Sequence, residues 1–193
     1  SHARGFTLLE LMITVTILGI LTVVAMVSYK VYFKRAKASE ANSLLMEVRM
    51  KQEQYFSTYS RYIDAGTEAD PFPATEVAGD RSKWAWTMNC PAAAAGSAME
   101  GFCHLGMKPG ATTFQLMTTG WAPGDAAPTS AFDYPGTLDT TQRWFYAIAF
   151  GNLDRFDQNG AVDSVRSAYI MISQNNTIVV DCETGADQEC AVE

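Results

Sequence analysis

Apolar residues follow three successive patterns along the chain. From Phe6 to Tyr29 almost every position is apolar, and Glu10 is the single charged residue. As a helix rising about 1.5 Å per residue, this stretch reaches roughly 36 Å, enough to cross a hydrocarbon core of about 30 Å. Beyond Tyr29 the pattern becomes periodic. Ala41, Leu44, Leu45, Val48, Gln52, Tyr55, Phe56 and Tyr59 recur at spacings of three and four, with Gln52 the one polar interruption. Glu40, Asn42, Glu47, Arg49, Lys51 and Glu53 fill much of the remaining circumference. No Gly or Pro occurs between Gly19 and Gly66, so the spacing predicts one helix from about Phe6 to about Tyr59.

After Gly66 the chain alternates between turn-rich segments and short runs of aromatic and β-branched residues. KWAWTM, TTFQLMTT, RWFYAIAF, SAYIMIS and TIVVD read as strands. SAYIMIS and TIVVD, separated by QNN, form the clearest hairpin, because Asn tolerates the positive φ of tight turns. No helical pattern lies between the runs, which predicts an antiparallel sheet rather than βαβ units. The fold class is therefore α+β, with the amphipathic part of the long helix packed on that sheet.

Charge and cysteines narrow the setting. The 193 residues carry a formal net charge of -7, which argues against a general phosphate-binding surface. Cys90, Cys103, Cys182 and Cys190 all follow the apolar stretch and form no CxxC. Two disulfides in an oxidising compartment fit them better than a zinc, redox or haem site. Four cysteines allow three connectivities, and the short loops favour the local pairs Cys90–Cys103 and Cys182–Cys190. No GxSxG, HExxH or phosphate-cradling Gly loop is present, and His104 reads as a surface residue, so the chain is not expected to be an enzyme.

Glu10 is the exception that points to function. A carboxylate inside a bilayer costs a few kcal/mol or more, on the order given by insertion scales, so it calls for a partner. Were the chain cut between Gly5 and Phe6, the new α-amino group would lie one turn from Glu10, or within reach of the Glu10 of a neighbouring copy. Either pairing offsets the burial of the carboxylate, and the second registers one helix against the next.

GFTLLELMITVTILGIL resembles the processing site and N-terminal helix of type IV pilins, here of the type IVa-like kind, and of the related type II secretion pseudopilins. RAKASEA and YFSTYSRY extend the likeness over about the first sixty residues. The resemblance implies that a prepilin peptidase cuts after Gly5 and methylates Phe6, with Glu10 and Gly19 serving assembly. It implies a pilin-like fold, in which 1–5 is the remnant of a leader, 6–29 the transmembrane and filament-core helix, 30–62 its amphipathic continuation, and 63–193 a sheet domain with a C-terminal disulfide loop. It also implies self-assembly into a fibre that serves motility, adhesion, DNA uptake or secretion, driven by an assembly ATPase and an inner-membrane platform protein. The precursor would sit in the inner membrane with its sheet domain in the periplasm, and the fibre would be extracellular.

The chain departs from the family in two places. Many members have Pro where this chain has Val27, so Gly19 alone remains to loosen the helix. Lys30, Lys34, Arg35 and Lys37 follow the span on the side assigned to the exterior, against the positive-inside tendency.

Other readings stay open. SHARG with the apolar run also fits a Sec signal peptide cut after Ala25, or the anchor of a periplasmic binding or enzymatic domain. A minor pilin or a pseudopilin fits as well as a major pilin. The phrase AFGNLDRFDQNGAVDS, similar to a loop of some pilins and pseudopilins, brings Asp154, Asp157, Asn159 and Asp163 close together around Gly160. These oxygen ligands suit calcium, but their register is not that of an EF-hand, and a solvated hairpin is the plainer expectation. No other cofactor is expected.

Overall fold

The computed structural model describes residues 7–67, 70–73, 86–108, 110–125, 138–151, 167–174, 180–183 and 190–192, with the backbone alone described at 26–28, 30, 31, 33, 34, 167, 180–183 and 190–192. The chain divides into two compact units, Ser1–Lys37 and Ala38–Glu193. Helix α1, Leu8–Tyr59, is a single 52-residue element that passes from the first unit into the second.

Within the first unit, α1 leaves its apolar side chains in the open. Leu8 is 78% exposed, and Leu11, Ile13, Val15, Ile17, Leu18, Ile20, Leu21, Val23 and Val24 are exposed around the whole circumference. The window Leu8–Ala25 is long and apolar enough to cross a membrane. The hydroxyls in this stretch turn inward to the backbone. Thr14 donates to the Leu11 carbonyl at 2.9 Å, Thr16 to Met12 at 2.7 Å and Thr22 to Leu18 at 2.7 Å. Each satisfies its donor on its own helix, the condition a lipid-facing helix must meet.

In the second unit the three- and four-residue spacing becomes a buried stripe. Ala41, Leu44, Leu45, Val48 and Tyr55 enter one core with Phe102, Leu105, Phe114, Leu116, Phe145, Ala147, Ala149, Tyr169 and Met171. Phe56 is half-buried and Tyr59 is 60% exposed, so the stripe closes a turn earlier than the sequence pattern predicts. The expected interruption, Gln52, is fully buried. Its amide donates to the Ile63 carbonyl at 2.7 Å and to Thr118 Oγ1 at 3.0 Å, and its Oε1 accepts from the Ile63 N–H at 3.1 Å. Thr118 in turn donates to the Tyr146 carbonyl at 2.9 Å. One amide thus ties α1 to the chain that leaves it and to the sheet, and each of its bonds meets the demand that a buried polar group be paired. The helix ends without Gly or Pro: Ser60 turns to φ 53°, and the chain folds back to the Gln52 amide.

The sheet has strands β1 Gln115–Trp121, β2 Trp144–Gly151, β3 Ser167–Ile172, β4 Val180–Glu183 and β5 Cys190–Val192, antiparallel and in the spatial order of the sequence. β2 is buried throughout. Phe145, Ala147 and Ala149 face the α1 core, while Trp144, Tyr146, Ile148 and Phe150 join Met117, Ala168, Ile170 and Ile172 in a second cluster on the opposite face. A strand buried on both faces reads as a continuous apolar run, as RWFYAIAF does. The outer side of β1 is lined by the preceding segment, through bridges Ala65–Thr118 and Phe72–Leu116.

Two expectations need correction. The described part of KWAWTM is not a strand. Trp86 instead packs edge-on against Phe72 and Phe102 and donates its indole N–H to Thr112 at 3.1 Å, so its side chain fills a corner rather than a pleated face. Between Trp86 and β1 lies a helix not expected from the sequence, α2 Ala98–Leu105, preceded by a 3-10 turn at Cys90–Ala92. Ser97 caps α2 by accepting from the Glu100 N–H at 3.3 Å, Glu100 Oε2 accepts from Gly96, and Gly106 closes the helix in the left-handed region. Gly101 is where α2 meets the chain after α1: a Cβ there would lie 2.6 Å from the Ala65 Cα.

Candidate functional site: the start of α1

The described chain starts at Thr7, and the geometry of the helix start is a capping box. Thr7 sits one residue before Leu8, the first residue of α1. Its backbone N–H donates to Glu10 Oε2 at 3.1 Å, and its hydroxyl donates to the same oxygen at 3.0 Å. The Glu10 N–H returns a bond to Thr7 Oγ1 at 3.2 Å, and the Leu11 N–H reaches the Thr7 carbonyl at 3.2 Å. T-x-x-E is the sequence form of this box, so Thr7 is the signal in the sequence that marks Glu10 as a capping residue. The carboxylate is therefore anchored to its own helix start, where the macrodipole also favours a negative charge. It remains exposed, with one oxygen taking both donations from Thr7.

Gly5 and Phe6 lie outside the described residues. Gly19 lies within α1, and nothing comes within 4 Å of where its Cβ would be, so it leaves a notch in the exposed surface. α1 runs unbroken through Gly19 and Val27.

The remaining candidate residues fall elsewhere. Cys90 and Cys103 form a disulfide with Cα atoms 5.7 Å apart, joining the 3-10 turn to α2. Cys182 and Cys190 are register partners across β4 and β5. Asp154, Asp157, Asn159 and Asp163, the tentative calcium set, lie outside the described residues. Among the described residues no three His, Cys, Asp or Glu side chains cluster as metal ligands. His104 is exposed on the last turn of α2, its Nε2 3.7 Å from Glu100 Oε1, an i,i+4 surface pair.

Residues 1–26 match the family model of the prokaryotic N-terminal methylation motif. The type IV major pilin protein PilA of Myxococcus xanthus is 43% identical over 65 residues, covering 34% of this chain and 30% of PilA. A fimbrial protein of Neisseria meningitidis is 36% identical over 76 residues, covering 39% of this chain and 45% of that protein. The type IV major pilin protein PilE1 of Neisseria gonorrhoeae is 35% identical over 77 residues, covering 39% and 47%. The chain thus spans less than half the length of these curated relatives. No solved structure matches it. The resemblance to type IV pilins drawn from GFTLLELMITVTILGIL is borne out, and the α+β architecture of a long N-terminal helix with an antiparallel sheet agrees with it.

Proposed function

We propose that the chain is a structural subunit of a type IV pilus-like filament, held in the inner membrane by α1 until it is assembled. One observation carries this reading: the methylation motif coincides with the exposed apolar stretch Leu8–Ala25, whose single carboxylate is held at the first turn of α1. Processing after Gly5 would place the Phe6 α-ammonium next to Thr7, adjoining the capping box. Glu10 would then pair with that amine, in its own chain or in a neighbour, and the cross-chain pair would set the stagger between helices. The exposed face from Leu8 to Val24 would exchange lipid for neighbouring helices, two surroundings of similar apolarity, so little hydrophobic free energy is lost. The reading makes the chain a building block and not a catalyst. A prepilin peptidase, an assembly ATPase and a platform protein would act on it, and the Cys182–Cys190 disulfide would close the C-terminal strands.

Intact mass and N-terminal sequencing of protein from sheared surface fibres test this. A chain starting at N-methyl-Phe6, abundant in that fraction, is the expected result. Scarcity in fibres with correct processing would favour the minor pilin or pseudopilin reading. A chain that starts after Ala25, or stays wholly in membranes, would overturn the proposal.

A further inference from the structure

One exposed carboxylate organises the chain at the end of the sheet where β2 begins. Asp139 Oδ1 accepts from the Thr141 N–H at 3.0 Å and from the Thr141 hydroxyl at 2.5 Å, and its Oδ2 accepts from the Gln142 side-chain amide at 3.0 Å. The Gln142 N–H reaches the Asp139 carbonyl at 3.4 Å, which closes a turn over 139–142. A carboxylate that gathers donors two and three residues ahead of itself fixes the course of the backbone between them.

That course presents both backbone groups of Asp139 to Gln174. The Asp139 N–H donates to Gln174 Oε1 at 2.8 Å, and Gln174 Nε2 donates to the Asp139 carbonyl at 2.7 Å, so a side-chain amide pairs with the main chain as a strand would. Gln174 is held in turn by the residue before it. The Ser173 N–H donates to the Phe145 carbonyl at 2.9 Å, and the Phe145 N–H donates to Ser173 Oγ at 3.0 Å. On the β1 side, the Gly124 N–H donates to the Thr140 carbonyl at 2.9 Å. Leu138, immediately before the turn, packs on the cluster that contains Trp144, Tyr146 and Ile172. Whatever holds the turn therefore also holds Leu138 on that cluster.

Protonation works against this arrangement. An ionised carboxylate accepts from all three donors, whereas the acid form carries a proton of its own and is the weaker acceptor. The Thr141 hydroxyl first, then the Thr141 N–H, and with them the Gln142 amide, hold the Asp139 carboxyl below the usual carboxylate range. Because the folded value is lowered, the hold is whole above that range and is lost as pH falls through the lowered value. Among the described residues, the charged groups on the neighbouring segments are Asp125, whose Oδ2 accepts from the Ala122 N–H at 2.8 Å, and Arg143, the residue after Gln142. Ser173 and Gln174 bring no charge.

We infer that Asp139 is an acid-released latch: as a carboxylate it keeps the 139–142 turn docked on Gln174 and Leu138 on the sheet, and as an acid it frees both while the strands stay paired. The latch belongs to the sheet unit alone and stands whether or not the chain enters a fibre.

The test follows leucine methyl signals of the full chain in nonionic detergent by nuclear magnetic resonance, from neutral pH downward. Leu138 reports the latch through the ring currents of the cluster beside it, and Leu116, fully buried on the other face of the sheet, reports the fold. The expected result is one acid transition of the Leu138 methyls with Leu116 unmoved. Thr141→Val removes the hydroxyl donor and should raise the pH of that transition. Asp139→Asn cannot change charge and should abolish it, while Asp125→Asn should leave it in place. A Leu138 signal that never moves, or one that moves only together with Leu116, would overturn the latch. So would a transition that Asp139→Asn keeps, that Asp125→Asn removes, or that Thr141→Val leaves at the parent pH.

Discussion

Replacing Gln52 with Leu isolates the bonds that fasten α1 to the sheet. Leu approximates the volume of Gln, so the main loss is three hydrogen bonds: two with the Ile63 backbone and one with Thr118. A buried donor or acceptor left without a partner costs about 1–3 kcal/mol. Ile63 is half-buried and part of its loss is recovered from water, so the low end of that range applies to each of its two groups. Thr118 keeps its bond to the Tyr146 carbonyl. The total is about 2 kcal/mol, which for a chain of this size lowers the thermal midpoint by roughly 4–8 °C. The assay is thermal unfolding of the full chain in nonionic detergent, followed by near-ultraviolet circular dichroism of the buried aromatics. Gln54→Leu on the exposed side serves as control and is expected to stay within about 0.5 kcal/mol of the parent. A cycle with Thr118→Val adds a second check, because residues in one hydrogen-bonded network couple by about 0.5–3 kcal/mol. A Gln52→Leu midpoint equal to that of Gln54→Leu, together with additive behaviour toward Thr118→Val, would refute the argument that this amide is the fastening.

Glu10→Gln keeps an acceptor for the capping box but carries no charge; normal processing with sharply reduced fibre incorporation is expected, and normal fibres would remove the ion pair from the proposal. Thr7→Ala removes the hydroxyl that both gives and receives in that box, with an expected loss of about 1 kcal/mol in helix-start stability, read as amide exchange at Leu8–Leu11. Reducing Cys90–Cys103 opens a loop of sequence separation 13 and is expected to destabilise by about 3 kcal/mol; an unchanged midpoint after thiol treatment would refute this. Tyr62 titrates at about 12, raised above its ordinary 10.0 chiefly by burial and then by the Glu53 carboxylate. Because its folded pKa is raised, the stability tied to the neutral phenol is whole below pH 10 and lost as pH climbs toward 12. Tyr62→Phe should flatten that alkaline decline, and identical pH profiles for parent and variant would count against it.

The long helix was legible because nothing contradicts it locally: no Gly or Pro punctuates the chain from Ile20 to Tyr59, and the three- and four-residue spacing marks the face that is buried. The role of Gln52 was not, since its partners are the backbone eleven residues on and a strand hydroxyl 66 residues on. α2 escaped because the alanine- and glycine-rich run PAAAAGSAMEG that leads into it resembles turn sequence, although the Ser97–Glu100 spacing and Gly106 are start and stop signals. KWAWTM misled in the opposite direction: aromatic composition mimics a strand wherever rings pack in a corner. At the candidate site the charge on Glu10 drew attention to itself, while the threonine three residues earlier that holds it did not.

The bridges from Ala65 and Phe72 to β1 bear on how such a molecule survives crowding. A bare sheet edge offers a row of unsatisfied amides and carbonyls to any passing strand, the usual opening for uncontrolled aggregation. Here the chain leaving α1 occupies the β1 side first, so the Leu116 and Thr118 backbone groups already have partners. In the proposed filament, many copies could then be stocked side by side without zipping together through β1, leaving ordered growth to the helix.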